Sequence, residues 1–488
     1  MLTAKRALGQ YSTPLRTVDY MVRKVIEKIR HLKSPKILDP AVGDGVFVER
    51  LMASGVNPAF IHAFDIDPDA VQANAHIPNI RHQDFLTVQG GEFDAIIGNP
   101  PYKSKRESRY IKENKARLER QFGEIGIRNL YAMFVHHALS NLKEGGTLCF
   151  IVQDSFLTNV YYQDFRRFIL DHCLIDEIVL APRKLFHHTD ADVRTAIITL
   201  TKCTGPENRE KRSAHVMTLI DRLQEEDDYF HPPQDKVQKL EQRYFERMEK
   251  HNFFINVPVS IIDIILKTPL KLGHVVDGGT GISTGNDAKF LRKPSGIAEE
   301  DPDWVPFYKN GGTKDAWFYE TPYRIHRDWE TPGRQYKDFM TRNAQHYFKE
   351  GITCSSMGVE FSASYMPAGC LFGVNANFFS DDREHLFYVL ALLNSTLAKY
   401  IIRAVFNRTN MVTAGYIKRI PYIEPAPELK TRIADIARTI VASKKANPQF
   451  DYRPLQCEID ALIYEIYGVD PADRKLLEQF CGNLYEAV

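Results

Sequence analysis

The chain has 488 residues, with 63 lysines and arginines against 62 aspartates and glutamates, so its formal net charge at pH 7 is +1. This balance neither requires nor excludes a polyanionic partner, because basic residues can gather on one face of a protein. The length predicts two or three domains, the seven scattered cysteines predict reduced thiols and no structural zinc, and no apolar stretch approaches the roughly 18 residues of a membrane helix.

The N-terminal part of the chain alternates between amphipathic stretches and short apolar runs, which predicts helices and strands in turn. Apolar side chains at helical spacing predict a first helix at 15–33. Further helices are predicted at 46–54, 129–142 and 164–173, and strands at 36–40, 59–67, 80–86, 93–99, 144–156, 175–182 and 192–202. Apolar strands that alternate with helices are typical of a parallel α/β sheet.

The composition changes after about residue 203. Residues 204–245 are charged and poor in aliphatic side chains, which predicts a linker with exposed helices. From about residue 251 onward, glycines, aromatic residues and short apolar runs predict short strands and loops. Three later segments, at 384–406, 429–446 and 455–468, have strong helical patterns.

Polar and glycine residues follow the predicted strands, where parallel sheets bind ligands. The first strand ends on Asp39, and Gly43 and Gly45 allow the backbone to approach a ligand closely before the next helix. The turn is neither a dinucleotide fingerprint nor a P-loop, and Asp44 disfavours an anionic pyrophosphate. It fits a cationic or zwitterionic ligand, although taken alone it fits an ordinary strand-to-helix connection equally well.

Two further strands end on acids. Asp65 and Asp67 follow the second strand, where a carboxylate can accept from both hydroxyls of a ribose, although an acid here can also cap the next helix. Asp84 and Phe85 close the third strand, where a carboxylate can accept from an exocyclic amino group and a ring can cover a base. Together the three strand ends predict a nucleoside ligand.

The fourth strand stops on Asn99, Pro100, Pro101 and Tyr102. Proline has no backbone N–H, so the two prolines end the strand and make the turn rigid. The Asn99 amide oxygen and the Pro100 carbonyl can both accept from one amino group, which would localise its lone pair on nitrogen. Tyr102 offers a flat surface on which a ring can stack. The alternative is a proline-terminated strand with a packed tyrosine.

These residues resemble the S-adenosylmethionine-dependent N6-adenine DNA methyltransferases, in particular the gamma, TaqI-like group. The resemblance rests on Leu38–Gly45 as the cofactor motif, Asn99–Tyr102 as the target motif, and Gly9–Pro14 as the leading motif, in which a Phe commonly stands at Ser12. Their order, with a long domain after the catalytic one, is the gamma arrangement. The resemblance covers most of the chain and is weakest between about residues 204 and 250.

The resemblance implies a fold class and three domains. Residues 1–245 would be an α/β catalytic domain with a Rossmann-like methyltransferase sheet and helices on both faces. Residues 246–425 would be a mixed α+β target-recognition domain, and 426–488 a helical segment packed on it. A prokaryotic cytoplasmic protein, associated with the nucleoid when bound to DNA, is expected.

The resemblance also implies residue roles. Asn99 and the Pro100 carbonyl would hold the adenine amino group, Pro101 would keep the turn rigid, Tyr102 would stack on the base, and Phe186 would cover its other face unless it is an ordinary core residue. The residues implied around S-adenosylmethionine are Thr13, Asp39, Pro40, Ala41, Gly43 and Gly45 at its methionine end, Asp65 at the ribose, and Ile66, Asp84 and Phe85 at the adenine. No metal is expected, and His187 and His188 are expected to face solvent or DNA.

Duplex DNA would be the substrate, and the target base must leave the stack to reach the site. The basic segment after Tyr102 is a candidate for phosphate contacts, or else a solvated helix face. Its candidate residues are Lys103, Lys105, Arg106 and Arg109. Thr284, Asn286 and Arg408 are candidates for base readout. A cognate restriction endonuclease is a possible partner.

Three alternatives remain open from the sequence. A glutamine methyltransferase acting on release factors shares the target motif, but such enzymes are shorter and lack the leading motif. An RNA amino-group methyltransferase is the second alternative. The third is a modification or specificity subunit of a larger defence complex. A fused endonuclease is not expected, because the motifs begin at residue 9 and no paired-acid-plus-lysine nuclease motif follows.

Overall fold

The computed structural model describes residues 12–183, 185–186, 194–293, 301–309, 311, 317–409 and 411–484. The chain divides into two compact units, Met1–Asn256 and Val257–Val488. The first half of the leading motif, from Gly9 to Tyr11, lies outside the described residues, as do His187 and His188.

The first unit is built on a nine-stranded sheet with the order β3-β2-β1-β4-β5-β7-β6-β8-β9. The strands are β1 (Ile37–Asp39), β2 (Ile61–Asp65), β3 (Asn79–His82), β4 (Phe93–Gly98), β5 (Leu142–Gln153), β6 (Cys173–Leu180), β7 (Thr195–Lys202), β8 (Val216–Ile220) and β9 (Val237–Glu241). The five strands from β3 to β5 in this order run parallel, whereas β7 lies antiparallel between β5 and β6. The strand ends that carry the predicted site residues therefore meet at one edge of the sheet.

Helices alternate with these strands. They are α1 (Leu15–Ile29), α2 (Val46–Ala53), α3 (Pro68–Ala73), α4 (Arg109–Glu113), α5 (Lys115–Phe122), α6 (Leu130–Asn141), α7 (Gln163–His172), α8 (Arg209–Ser213) and α9 (Arg243–Arg247). The first helix buries Val18, Met21 and Val25 on one face, as its spacing predicts, and ends at Ile29 rather than at residue 33. Helix α6 is buried on nearly all sides, which explains its almost continuous apolar sequence.

The prediction of a linker with exposed helices at 204–245 is wrong. The segment contributes β8, which pairs parallel to β6, and β9, which pairs antiparallel to β8. Met217, Leu219 and Ile220 of β8 are buried around the half-buried Thr218, and in β9 the buried Leu240 lies between the exposed Lys239 and the partly exposed Glu241. This alternation places charged side chains on the solvent side of a strand, so the average composition resembles that of a linker.

The third predicted strand also ends early. It stops at His82, and the chain then turns through the 3₁₀ segment Phe85–Thr87. The Asp84 side chain caps this segment by accepting from the Leu86 N–H at 3.0 Å. A short polar side chain at the start of a turn competes with continuation of the strand.

The second unit contains two four-stranded sheets, with the orders β10-β17-β14-β15 and β11-β13-β12-β16. The strands are β10 (Asp277–Gly279), β11 (Leu291–Arg292), β12 (Trp304–Tyr308), β13 (Arg324–His326), β14 (Gly351–Cys354), β15 (Ala363–Met366), β16 (Leu371–Phe372) and β17 (Asn377–Phe379). Its helices are α10 (Val259–Lys267), α11 (Asp287–Phe290), α12 (Glu330–Arg334), α13 (Arg383–Asn394), α14 (Thr396–Tyr400), α15 (Ala414–Ile417), α16 (Pro427–Ala446), α17 (Arg453–Tyr467) and α18 (Pro471–Gly482).

The single helix predicted at 384–406 is broken at Ser395. This residue has extended backbone angles, and its hydroxyl accepts from the Ala398 N–H, so it caps a new helix. The two arms, α13 and α14 with the π-helical segment Ile401–Phe406, are bent by 57°. No single helix in the described part of the chain is long and apolar enough to cross a membrane, although this bent pair passes on length and composition when its arms are combined. Helices α16 and α18 pack against α13 and α14 respectively.

Candidate functional site

A cavity of about 240 Å³ lies at the edge of the first unit's sheet where β1, β2 and β4 end. The predicted site residues that line it are Thr13, Pro40, Ala41, Gly43, Asp65, Ile66, Asp84, Phe85, Asn99, Pro101, Lys103 and Arg109. Asp39, Gly45, Pro100, Tyr102, Phe186, Lys105 and Arg106 are outside its lining. The nucleoside-type strand ends and the Asn99 turn therefore border one space.

The glycine turn after β1 has the left-handed backbone that its sequence predicts. Gly43 has a φ of +55° and Gly45 a φ of +85°. The Gly43 N–H donates to Asp65 Oδ2 at 2.9 Å, and Asn74 Nδ2 donates to the Gly43 carbonyl at 3.1 Å. A Cβ on Gly45 would lie 2.1 Å from Asn74 Oδ1. Asn74 supports the glycine turn, and the sequence does not reveal this because Asn74 lies 31 residues after Gly43, at the C-terminal end of α3.

Asp39 is completely buried beneath this turn. Its Oδ1 accepts from the Ala41 N–H at 3.1 Å, and within the described residues its buried Oδ2 has no hydrogen-bond partner. Burial raises the pKa of Asp39 to about 8. A Cβ on Gly98 would lie 3.0 Å from Asp39 Oδ1, so a larger residue where β4 passes this carboxyl would press against it. Asp39 thus supports the turn from behind, and its carboxylate form would be stabilised by a nearby cation.

Asp65 and Ile66 occupy different positions at the end of β2. Asp65 is buried, and its Oδ1 accepts from the Asp67 N–H at 2.9 Å, while burial raises its pKa. Ile66 is 46% exposed although it is a large apolar residue, and it lines the cavity. Asp67 accepts from the Asp69 N–H at 3.0 Å and caps α3. At this strand end Asp67 therefore caps the next helix, as the alternative interpretation predicts, while Asp65 and Ile66 line the cavity.

Asp84 is part of a polar chain that the sequence does not reveal. Its Oδ2 accepts from the Tyr110 hydroxyl at 2.7 Å, and Arg117 Nη2 donates to that hydroxyl oxygen at 2.6 Å. Burial, together with the Asp84 carboxylate, raises the pKa of Tyr110, so its hydroxyl remains a donor. Tyr110 lines the cavity beside Asp84. Phe85 is buried against Phe134, with ring centroids 5.3 Å apart.

The Asn99 turn is held by side chains from other segments. Asn99 Nδ2 donates to Thr13 Oγ1 at 3.0 Å. The Tyr102 hydroxyl donates to the Ile151 carbonyl at 3.1 Å, and Asn129 Nδ2 donates to the Tyr102 carbonyl at 3.0 Å. Asn129 also caps α6, so one residue fixes both the helix start and the target turn.

The structure brings Tyr102 and Phe186 together, but not as parallel rings. Both side chains are buried, and their centroids lie 6.5 Å apart at an interplanar angle of 74°. This is an edge-to-face contact. A flat base sandwiched between them would require one ring to turn.

The segment that carries Phe186 is anchored by Arg222, the residue two positions after β8. Arg222 Nη1 donates to the Ala181 carbonyl at 2.7 Å and to the Thr195 carbonyl at 3.2 Å, so it joins the two ends of the segment. Arg222 Nη2 also pairs with the Asp154 carboxylate at the end of β5. Both members of this ion pair are buried.

The four predicted DNA-contacting cations differ in exposure and in ion pairing. Lys103 is half-buried and lines the cavity with Arg109. Arg109 pairs with Glu113 at 2.6 Å, and Lys105 pairs with Glu119 at 3.8 Å.

Arg106 is exposed, as a phosphate contact requires. In the second unit, Thr284 and Arg408 are buried, so as placed here neither can read bases from the surface. Asn286 accepts from the Lys289 N–H at 3.1 Å and caps α11, which is a structural use of its side chain. In the described residues, no group of three or more His, Cys, Asp or Glu side chains is arranged to hold a metal ion.

Comparison with known proteins relates the chain to restriction–modification methylases. A family described as Eco57I restriction-modification methylase matches residues 53–186. The type II methyltransferase M.HincII of Haemophilus influenzae is 28% identical over 196 residues, covering 39% of this chain and 36% of that protein. The adenine-specific methyltransferase BrxX of Escherichia coli O9:H4 (strain HS) is 23% identical over 407 residues, covering 79% of this chain and 32% of that protein. The chain spans about a third of the length of these relatives.

Solved structures share the fold over nearly the whole chain. The type IIL restriction-modification enzyme MmeI was solved in complex with DNA. Its alignment covers 96% of this chain and 75% of the MmeI chain, with a TM-score of 0.62 and 12% identity. The type ISP restriction-modification enzyme LlaGI was solved in complex with a DNA substrate mimic. Its alignment covers 89% of this chain and 54% of the LlaGI chain, with a TM-score of 0.56 and 13% identity. These likenesses confirm the predicted fold class, an α/β sheet with helices followed by a mixed α+β part and C-terminal helices.

Proposed function

We propose that this chain is a DNA methyltransferase that moves a methyl group from S-adenosylmethionine to the N6 amino group of adenine in duplex DNA. Restriction–modification or phage defence is the proposed setting, with a cognate endonuclease as a partner. The observation that carries the proposal is the shared cavity. Asn99 and Pro101, from the amino-accepting turn, line it together with Asp65, Ile66 and Asp84, from the nucleoside-type strand ends.

The residues around the cavity fit S-adenosylmethionine. Three acids, Asp44, Asp65 and Asp84, and two cations, Lys103 and Arg109, line it. Because both charge signs are present and the glycine turn carries no phosphate-binding lysine, a zwitterionic nucleoside suits it better than a nucleotide. The buried Asp39 carboxyl behind the turn gains from a nearby positive charge. Asp65 would hold the ribose, and Ile66, Asp84 and Phe85 the adenine. When bound, the cofactor supplies an electrophilic methyl group.

The Asn99 turn makes the adenine amino group a better nucleophile. This nitrogen is a poor nucleophile because its lone pair is conjugated with the ring. Asn99 donates to Thr13 through Nδ2, which orients the amide oxygen to the opposite side of the amide. Two acceptors, Asn99 Oδ1 and the Pro100 carbonyl, would hold both N–H bonds and localise the lone pair on nitrogen. This activation requires no general base before the transfer.

The aromatic residues suit a base that has left the duplex. Tyr102 is fixed through its hydroxyl and its carbonyl, and its ring is buried, so the base would stack on it once the side chains that cover the ring move aside. Phe186 then turns to cover the base or meets its edge. An adenine inside the helix is out of reach of Asn99, so base flipping is part of the proposal.

The relatives support the choice of adenine and DNA. BrxX is described as adenine-specific, and the aligned MmeI structure contains DNA. The second unit would supply sequence recognition. A second candidate is a modification or specificity subunit of a larger defence complex.

The test is methylation of plasmid DNA by the purified chain with labelled S-adenosylmethionine, followed by nucleoside analysis. We expect N6-methyladenine at one short sequence. Label on protein or RNA alone, or on another base, would refute the proposal. Activity that appears only after co-expression with neighbouring genes would favour the second candidate. Asn99→Ala should abolish transfer while the dissociation constant for S-adenosylmethionine stays within about twofold, because Asn99 acts on the acceptor.

A further inference from the structure

An exposed aromatic residue lies under a guanidinium close to the target turn. Tyr161 is 61% exposed and the preceding Val160 is 42% exposed. The guanidinium carbon of Arg128 lies 4.5 Å from the centroid of the Tyr161 ring. Two consecutive large apolar side chains at the surface suggest a binding function more than a single one does. Neither Tyr161 nor Arg128 has a role in the proposed cofactor or amino-group contacts.

The segment that presents Tyr161 is firmly held from behind. The Asn159 side chain accepts from the Tyr161 N–H at 3.0 Å. The buried guanidinium of Arg166 donates to the Asn159 carbonyl at 2.8 Å. The next residue, Tyr162, is buried and packs on Tyr131, with ring centroids 5.8 Å apart. Tyr161 is therefore exposed on a rigid support, which lowers the entropy cost of binding through it.

The same contacts connect this surface to the target turn. Tyr131, which packs on Tyr162, also lies 6.4 Å from the Tyr102 ring in an edge-to-face contact. The Arg128 carbonyl accepts from the Lys105 N–H at 2.8 Å, and the next residue, Asn129, donates to the Tyr102 carbonyl. The platform, which we define as Tyr161 and Arg128, is thus built on the residues that fix the Asn99–Tyr102 turn.

We propose that the platform binds the DNA strand next to the flipped adenine, with the Tyr161 ring stacked on a neighbouring base and Arg128 on its phosphate or its base. This inference rests on the proposed function. When one base leaves the helix, its neighbours lose a stacking partner, and an exposed aromatic ring can replace it. The charge suits a phosphate backbone, since Arg128 is exposed and the exposed Lys105, which pairs with Glu119, is joined to the Arg128 carbonyl through its N–H.

The experiment compares DNA methylation by the full chain with that by Tyr161→Ala, Tyr161→Phe and Arg128→Met. The matched control is Val216→Ala, which shortens an exposed apolar side chain (53% exposed) on β8 in the same unit. We expect Tyr161→Ala to raise the KM for DNA about tenfold or more, the size of one lost base stack. Tyr161→Phe should remain close to wild type, because it keeps the ring. Arg128→Met should weaken DNA binding. It should also reduce the slope of the logarithm of the binding constant against the logarithm of salt concentration by about one, the change expected for one lost phosphate contact.

Two further measurements separate binding from folding. Affinity for S-adenosylmethionine, by calorimetry, and the thermal unfolding midpoint should be unchanged in Tyr161→Ala, because the ring is largely exposed. Wild-type KM for DNA in Tyr161→Ala would overturn the platform, and so would an equal loss in Tyr161→Phe and Tyr161→Ala, since that would implicate the hydroxyl. A wild-type chain that neither binds nor methylates DNA would instead refute the proposed function and remove the basis of the platform.

Discussion

The buried ion pair between Arg222 and Asp154 gives a quantitative prediction for the first unit. Arg222→Met removes the guanidinium but keeps a side chain of similar length. It leaves the Asp154 carboxylate without its cationic partner in a buried position, and the Ala181 and Thr195 carbonyls lose the hydrogen bonds that Arg222 Nη1 donates. Breaking a buried pair in this way costs about 3–5 kcal/mol of unfolding free energy. For a unit of this size, that corresponds to a fall of roughly 10 °C in Tm.

The assay is urea unfolding of the full chain, with a double-mutant cycle on the pair. Asp154→Asn keeps an oxygen that can accept from Arg222, so it should cost less than Arg222→Met. In Arg222→Met/Asp154→Asn the uncompensated charge is gone, and the double variant should be more stable than Arg222→Met alone. A loss below about 1 kcal/mol in Arg222→Met, or strictly additive effects, would refute the reasoning from a buried and coupled pair.

Three further predictions concern the cavity. Folded Asp39 has its pKa raised to about 8 from 3.8, so it keeps a proton that the unfolded chain releases, and stability of the unliganded protein should fall as pH rises through this window. Asp39→Asn should remove that slope in urea unfolding between about pH 5 and 8.5, and parallel slopes in the two proteins would contradict it. Tyr110→Phe removes the hydroxyl that donates to Asp84 and should weaken S-adenosylmethionine binding about fivefold by calorimetry, with DNA affinity as the unaffected control. Gly45→Ala should lower the free energy of unfolding more than Gly55→Ala. Both glycines have similar positive φ, but only the Cβ at position 45 would meet a side chain. Equal losses of unfolding free energy would show that backbone strain alone matters.

The first seven strands of the first unit's sheet could be predicted because each signal is local. The apolar run before Asp39, the glycines after it and the prolines after Asn99 act within a few residues. Tyr110 and Arg117 meet Asp84 only in the folded chain, where helices that follow the target turn come back to the end of β3, so their roles leave no local pattern.

The errors in the fold have a similar origin. Strand β8 is only five residues long and lies in a charged segment. Its few buried residues are therefore too short a run to be recognised as a strand from the sequence. The break at Ser395 occurs without glycine or proline, because a serine hydroxyl that caps a helix is enough to end the one before it. The roles assigned to individual site residues stay predictions until they are tested by mutation.

The two extra strands have a practical consequence for dissecting the protein. Ile178 and Val179 of β6 pair with Leu219 and Ile220 of β8, so a chain cut near residue 203 would expose an apolar sheet edge that invites aggregation. The same cut would also remove Arg222 from the base of the segment that carries Phe186. An isolated first unit should therefore extend to Asn256, where this unit ends.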